Sequence, residues 1–210
     1  MKRGKYGTNV YFLHREDSGD TIVVDPADYG KELYDELNMQ GLEVKAIFLT
    51  HGHFDHIGGA EEVRKATGAE IYIHELDAHM LTSAADSLAT NMSFFTFTPV
   101  TDWTCVYGDC FINDGDCTFR VLHTPGHSQG SVCYICGDVI FSGDTLFCCS
   151  VGRTDFPDSS SAAMTYSLNK LYNLVGDYKV YPGHNESTTL DYERESNPYM
   201  RPFRGKDDDK

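Results

Sequence analysis

Apolar and polar positions alternate, run together or recur at helical spacing in a consistent order along the chain. "NVYFLHRE" (9–16) and "DTIVVDP" (20–26) are two strand-like runs joined by a polar turn at Ser18-Gly19. "DYGKELYDELNMQG" (28–41) sets Leu33, Leu37 and Met39 near helical spacing and stops at Gly41. "VKAIFLT" (44–50) is almost continuously apolar, the mark of a buried strand. A helix over 58–68 ended by Gly68, a strand over 70–74 and a short helix over 75–81 follow. The second half opens on a strand that runs into a histidine loop, 117–127, and a hairpin over 131–144 turning at Gly137-Asp138. A helix over 159–174, with serines at its start, and a strand over 178–184 complete it. The order is β-rich then α, twice over, with no linker between the halves and no repeat of 20–50 residues.

Residues 82–103 break the pattern. They carry Phe94, Phe95, Phe97 and Trp103 in a stretch without period. A loop this long in a small domain is either a lid over a site or a segment whose rings pack on the core, and the two expectations stand equal.

Polar chemistry collects where apolar strands end. The four places are Thr50-His51, Thr124-Pro125-Gly126-His127, Ser142-Gly143-Asp144 and Tyr181-Pro182-Gly183-His184. The first belongs to "LTHGHFDHIGG" (49–59), which packs three histidines and an aspartate into six positions. His51 and His53 are two apart, a spacing that suits a loop, because i and i+2 do not share a helix face. Gly52, Gly126 and Gly183 allow the backbone to turn tightly beside each histidine. Five of the nine histidines sit in such loops. A lone His-x-His is usually a surface or core feature, but seven ligand types gathered this way are not: His51, His53, Asp55, His56, His127, Asp144 and His184. They exceed the four ligands of a tetrahedral zinc and suit two divalent ions about 3.5–4 Å apart that share one carboxylate. His14, His74, His79 and His123 have no such company, and His123 is equally a core residue or a group behind a ligand. Thr50 and Asp25, at strand ends, are candidates for orienting ligands.

Composition bounds the rest. The 210 residues suit one domain, with a core over about 9–198 and a tail over 199–210 whose charged end, "KDDDK" (206–210), is expected to fray. A net charge of −15 argues against a nucleic-acid groove as the main surface. No apolar run approaches the ~20 residues of a membrane span. "MKRGKYGTNVYFL" has no signal-peptide pattern, so a cytoplasmic protein is expected. Seven cysteines, an odd number without a secreted-scaffold rhythm, fit reduced thiols. Cys133 and Cys136 fall on opposite faces of a predicted strand and are not half of a zinc ribbon. Cys148 and Cys149, close to Asp144 in sequence, are either redox-sensitive, adventitious ligands of a soft metal or, the commoner case, inert buried thiols.

"THGHFDH", "HTPGHSQGS", "FSGDTLF" and "YPGHNEST", in this order, resemble the metallo-β-lactamase superfamily and, within it, the glyoxalase II-like hydrolases. The resemblance runs from about Asn9 to about Pro198. It implies an α/β fold, the αβ/βα four-layer sandwich of two mixed sheets with helices on the outer faces. It implies that one ion takes His51, His53 and His127, the other Asp55, His56 and His184, and that Asp144 bridges, with Asp55 and Asp144 as the catalytic carboxylates. The cofactors implied are two divalent ions, zinc first, with iron or manganese as options. The implied reaction is attack of metal-held hydroxide on a small thioester or ester; the expected partner is a small-molecule substrate, not nucleic acid or membrane, with the oligomeric state open. "GRTDFP" (152–157) resembles the short single-domain members: Arg153 stands where glyoxalase II keeps a lysine for its glutathione substrate, and the glutathione-binding helical domain is not found in these 210 residues. A similar "GRTDF" occurs in persulfide dioxygenases, which use one iron, so a mononuclear iron dioxygenase is the alternative.

Overall fold

The computed structural model describes residues 1–90, 92–114 and 117–205; the 206–210 end expected to fray lies outside them. The chain divides into two compact units, Met1–Tyr107 and Gly108–Lys210.

The first unit begins with a short antiparallel ribbon, β1 (Lys2–Arg3) and β2 (Thr8–Asn9). The two expected strands follow as β3 (Tyr11–His14) and β4 (Asp20–Val24), which pair antiparallel. Next come α1 (Gly30–Met39), β5 (Glu43–Phe48), a single turn α2 (Phe54–Ile57), α3 (Ala60–Thr67), β6 (Glu70–His74) and β7 (Thr104–Val106). The sheet order is β3-β4-β5-β6-β7, antiparallel at the first pair and parallel thereafter. Leu33 and Leu37 of α1 and Ala60 and Val63 of α3 pack with Val23, Ile47, Ile71 and Ile73 of the sheet in one apolar cluster. Met39 breaks the expected stripe: it is 79% exposed, because two positions after Leu37 it lies on the opposite side of the helix. Gly68 closes α3 at φ 76°, a left-handed cap. The short helix expected over 75–81 is a 3-10 helix, Glu75–Thr82. The side chain of His74 caps it, accepting from the Leu76 amide.

Most of the aromatic loop is packed. Phe97 and Trp103 lie against the core cluster, and the Phe95 ring meets Phe54 at 5.0 Å. Phe94 alone of the four is exposed, stacked beneath Lys5.

The second unit contains β8 (Cys110–Asp114), β9 (Cys117–His123), β10 (Val132–Cys136), β11 (Val139–Gly143), β12 (Leu146–Phe147), β13 (Ser150–Val151), α4 (Ser161–Tyr172), β14 (Lys179–Pro182), β15 (Thr188–Thr189) and α5 (Leu190–Ser196). Its main sheet runs β15-β14-β11-β10-β9-β8. β9, β10 and β11 are antiparallel neighbours and β14 runs parallel to β11. β9, β11 and β14 therefore point the same way. The predicted hairpin turns at Gly137-Asp138, with Cys136 opposite Val139. Ser160 caps α4 through its hydroxyl, which accepts from the Ala163 amide. Met164, Leu168 and Leu171 of α4 and Leu190 of α5 cover Leu122, Ile135, Ile140 and Val180. Met200, inside the stretch expected to be tail, is fully buried in the same cluster, and Arg201–Phe203 form a 3-10 turn.

One buried carboxylate in the first unit links fold to pH. Glu61 of α3 has no exposed surface. Burial by itself pushes its carboxyl up, but hydrogen bonds from Arg64, Thr101 and Lys65 outweigh burial and hold it at about 2, against an ordinary 4.5. A lowered folded-state pKa stabilises the protein above the unfolded value and is lost as pH falls towards the folded value. The window is therefore from about 4.5 down to about 2. At ~1.4 kcal/mol per unit, the contribution at neutral pH is on the order of 3 kcal/mol. Glu61→Gln is expected to lower unfolding free energy by roughly that amount at pH 7, with the gap to wild type closing as pH drops through this window. Urea melts at several pH values measure it. A gap that does not change with pH would mean that lost packing, not charge, is responsible.

Candidate metal centre

The parallel strands of the first unit deliver polar residues at their carboxyl ends, where sites gather in such sheets. β4 ends at Asp25, β5 leads to Thr50 and His51, and β6 leads through the 3-10 turn to Asp77. The three histidines of the opening motif lie close together, edge-on or tilted to one another. The His51 ring lies 4.7 Å from His53 and 4.1 Å from His56, centroid to centroid. All three are buried, and Asp55 joins them, its Oδ2 3.8 Å from His56 Nε2. The single turn α2 starts at His53 and places Asp55 and His56 on it.

Asp25 organises this group. Its Oδ1 accepts the Thr50 amide at 2.8 Å, and its Oδ2 accepts the Thr50 hydroxyl at 2.6 Å. The same Oδ2 lies 2.8 Å from His56 Nδ1. The Thr50 oxygen in turn lies 3.1 Å from His51 Nδ1. The Thr50 proton is committed to Asp25, so the hydroxyl oxygen accepts from His51 Nδ1–H. Both rings are thereby fixed with the proton on Nδ1 and the electron pair on Nε2, the tautomer a metal ligand needs. Asp25 adopts φ 49°, a left-handed conformation that Asp tolerates better than most residues. Asp77, fully buried, accepts the Gly52 amide at 3.1 Å and so anchors the backbone between His51 and His53. Gly52 is glycine for lack of room: a Cβ there would stand 2.7 Å from Met80 side-chain atoms and 3.0 Å from the Asp77 carbonyl oxygen.

The second unit brings its own three candidates together. β9, β11 and β14 leave the sheet at one end and lead to His127, Asp144 and His184. Asp144 Oδ2 lies 3.4 Å from His127 Nε2 and 3.6 Å from His184 Nε2. His127 Nδ1 donates to the Arg153 carbonyl oxygen at 2.9 Å, which again leaves the electron pair on Nε2. The Ser159 hydroxyl holds the His127 carbonyl at 2.6 Å. Gly152 is required by close approach: a Cβ there would meet the Asp144 carbonyl oxygen at 1.9 Å.

The Arg153 side chain is directed elsewhere. Its guanidinium pairs with Asp155 through two bonds of 2.6 and 2.7 Å and lies 4.4 Å from the Phe156 ring centroid. The Asp155 hydrogen bond raises the Arg153 pKa, and the same bond from Arg153 lowers that of Asp155. Phe156 in turn meets the His127 ring edge-on at 5.7 Å. His123 is held by the Gln129 carbonyl at 2.9 Å rather than by a ligand. Cys133 is buried against Thr124, and burial pushes its thiol up to about 11; Cys136 is half-buried. Cys149 departs from the inert-thiol expectation, for it is exposed. Among the described residues no helix is long and apolar enough to cross a membrane.

Imidazoles beside carboxylates, three of them (His51, His56 and His127) with Nδ1 engaged by an oxygen, form a donor set suited to divalent first-row ions. The model of the metallo-β-lactamase superfamily matches residues 3–184. The chain belongs to the metallo-β-lactamase superfamily. It is similar to the probable metallo-hydrolase YqgX of Bacillus subtilis, 32% identical over 97% of both chains. It is also similar to the hydroxyacylglutathione hydrolase GloC of Haemophilus influenzae, 31% identical over 88% of this chain and 89% of that one. Among solved structures, the BLEG-1 B3 metallo-β-lactamase superposes with a TM-score of 0.85 at 34% identity, covering 94% of this chain and 96% of that one. TTHA1623 in a di-iron-bound form gives 0.84 at 32% identity, covering 95% and 98%. The chain has the α/β fold of the superfamily and is a metallo-hydrolase of that family.

Proposed function

We propose that the two ligand groups act as one centre for two divalent ions and that this centre hydrolyses a small thioester or ester. His51, His53 and His127 would hold one ion, and Asp55, His56 and His184 the other, with Asp144 shared. The observation that carries this reading is the position of Asp144. One of its oxygens lies within 3.4–3.6 Å of two imidazole nitrogens, those of His127 and His184, which belong to different ions in this assignment. When bound, the ions would lower the pKa of water towards ~7 and polarise a carbonyl oxygen. The chain's own residues then have defined work. Asp25 and Thr50 hold the Nε2 atoms of His51 and His56 towards an ion, and the Arg153 carbonyl does the same for His127.

Zinc is the first candidate for both positions, while the di-iron form of TTHA1623 supports testing iron as well. The relative named hydroxyacylglutathione hydrolase supports an acyl substrate. The seven free thiols fit the reducing cytoplasm. Arg153 would meet an anionic group of the substrate with the guanidinium that Asp155 and Phe156 now hold.

Elemental analysis of protein purified without added metal, followed by a screen of thioesters, esters and a β-lactam, tests the reading. Two ions per chain with thioester turnover are expected. One iron per chain with oxygen uptake would replace it with the dioxygenase reading. On the substrate so found, Arg153→Ala is expected to raise KM on the order of tenfold with kcat little changed, because an exposed cation binds ground and transition states alike. An unchanged KM would remove Arg153 from the substrate site.

A further inference from the structure

The hairpin that follows Asp144 ends in two adjacent thiols. β12 and β13 pair with Phe147 opposite Ser150, so Cys148 and Cys149 are the whole turn. Turn positions with positive φ favour glycine or asparagine. Cys149 occupies one, at φ 52°. A thiol there is not what the turn alone would choose, and backbone in this region points to a function.

A buried carboxylate stands beside the tip. Glu193 of α5 has no exposed surface. Its Oε2 accepts the Cys149 amide at 2.9 Å and the Asn197 side-chain amide at 2.7 Å, and its Oε1 accepts the Thr188 hydroxyl at 2.7 Å. These bonds fix the carboxylate in place. Both Cys sulfurs and a Glu193 carboxylate oxygen lie within 4.8 Å of one another. Cys148 is half-buried and Cys149 exposed, so an ion can reach them from solvent.

We infer that Cys148, Cys149 and Glu193 form a site for one thiophilic divalent cation, zinc or cadmium, separate from the seven ligands assigned to hydrolysis. Two thiolates select a soft or borderline ion over magnesium or calcium. Three protein ligands leave a fourth tetrahedral position for water. A nucleophilic role fits the site less well. Burial raises the Cys148 thiol pKa, and the Glu193 charge and Cys149 raise it further, the reverse of an activated cysteine. A cation compensates the same repulsion, since it displaces the thiol protons as it binds.

The test is a cadmium titration of the full chain loaded with zinc, followed by the ultraviolet thiolate-to-cadmium charge-transfer band. None of the seven hydrolytic ligands is a sulfur, so the band reports cysteines only. Wild type is compared with Cys148→Ser/Cys149→Ser and with Glu193→Gln, which keeps an oxygen for the Cys149 amide but drops the charge. One band-forming cadmium per chain is expected in wild type, with no such ion in the double serine variant. Affinity is expected to rise up to ~100-fold per pH unit while two thiol protons are displaced, and to fall on the order of tenfold in Glu193→Gln. A band retained in the double serine variant assigns the ion to the other five cysteines and overturns the proposal. So does equal affinity in Glu193→Gln. The readout does not involve turnover, so failure of the hydrolytic reading leaves it standing.

Discussion

Asp144→Ala is expected to cut turnover by well over 100-fold and to lower bound metal below the wild-type count. Loss of a group behind a ligand typically costs 10–100-fold in metal affinity or activity, and a ligand shared by two ions does more. The structure gives the reason at atomic scale. Asp144 Oδ2 is the common neighbour of His127 Nε2 and His184 Nε2, and it supplies the negative charge between them. Alanine removes the carboxylate that stands between these two imidazoles. Asp144 is only 8% exposed, and water cannot fully replace its charge. Elemental analysis of the purified variant beside a turnover assay decides the matter. Wild-type metal content with wild-type turnover would sink the two-ion reading; a circular dichroism spectrum like that of wild type secures the comparison against misfolding.

Much of this arrangement was legible in the chain itself. The ligand-bearing loops follow apolar runs because a buried strand must end before polar side chains can gather, and that switch is visible as a change of pattern at Thr50, Thr124, Ser142 and Tyr181. β5, β9, β11 and β14 all lie where those runs predicted them. The 131–144 hairpin was legible, and β10 and β11 pair as it predicted; the pairings between strands distant in sequence were not. That β14 lies beside β11 and leaves the sheet at the same end follows from a pairing across about 40 residues of sequence, and no local pattern encodes such a pairing. β7 and β8 are short and did not stand out, and among the described strands β7 pairs with β6 alone.

The residues behind the ligands divide in the same way. Thr50 and Asp25 could be suspected because they sit at strand ends next to the histidines. Asp77 and Gly152 could not. Asp77 lies 25 positions from the amide it holds, and Gly152 is needed because of a backbone that folds against it from Asp144. Arg153 shows the opposite limit. Its family resemblance concerns the side chain, yet it is the carbonyl that holds His127, while the guanidinium is engaged by Asp155 two residues on. Sequence reports side chains, and a backbone acceptor leaves no letter in it.

Asp25→Asn is expected to lower metal affinity and turnover by about 10–100-fold while leaving the fold intact. Asparagine suits the backbone, since it tolerates left-handed φ as well as aspartate does. The damage comes from the direction of the hydrogen bonds. The Thr50 amide requires an oxygen at the Oδ1 position. The new amide nitrogen must then stand where Oδ2 accepted both the Thr50 hydroxyl and His56 Nδ1–H. Facing a donor, His56 has to move its proton to Nε2, the atom that should carry the electron pair for an ion. The Thr50 oxygen now accepts from the asparagine, so its own proton turns towards His51 Nδ1, and His51 is driven into the same tautomer. Rotating the amide the other way sets two donors against each other at the Thr50 amide, leaving a buried N–H without its acceptor. One atom therefore reverses the polarity of two ligands at once, a logic separate from the loss of a charge. Metal titration and turnover of Asp25→Asn, with the proton on each imidazole read by nitrogen NMR, check it. Unaltered affinity, or His56 still protonated on Nδ1, would show that Asp25 does not set the tautomer.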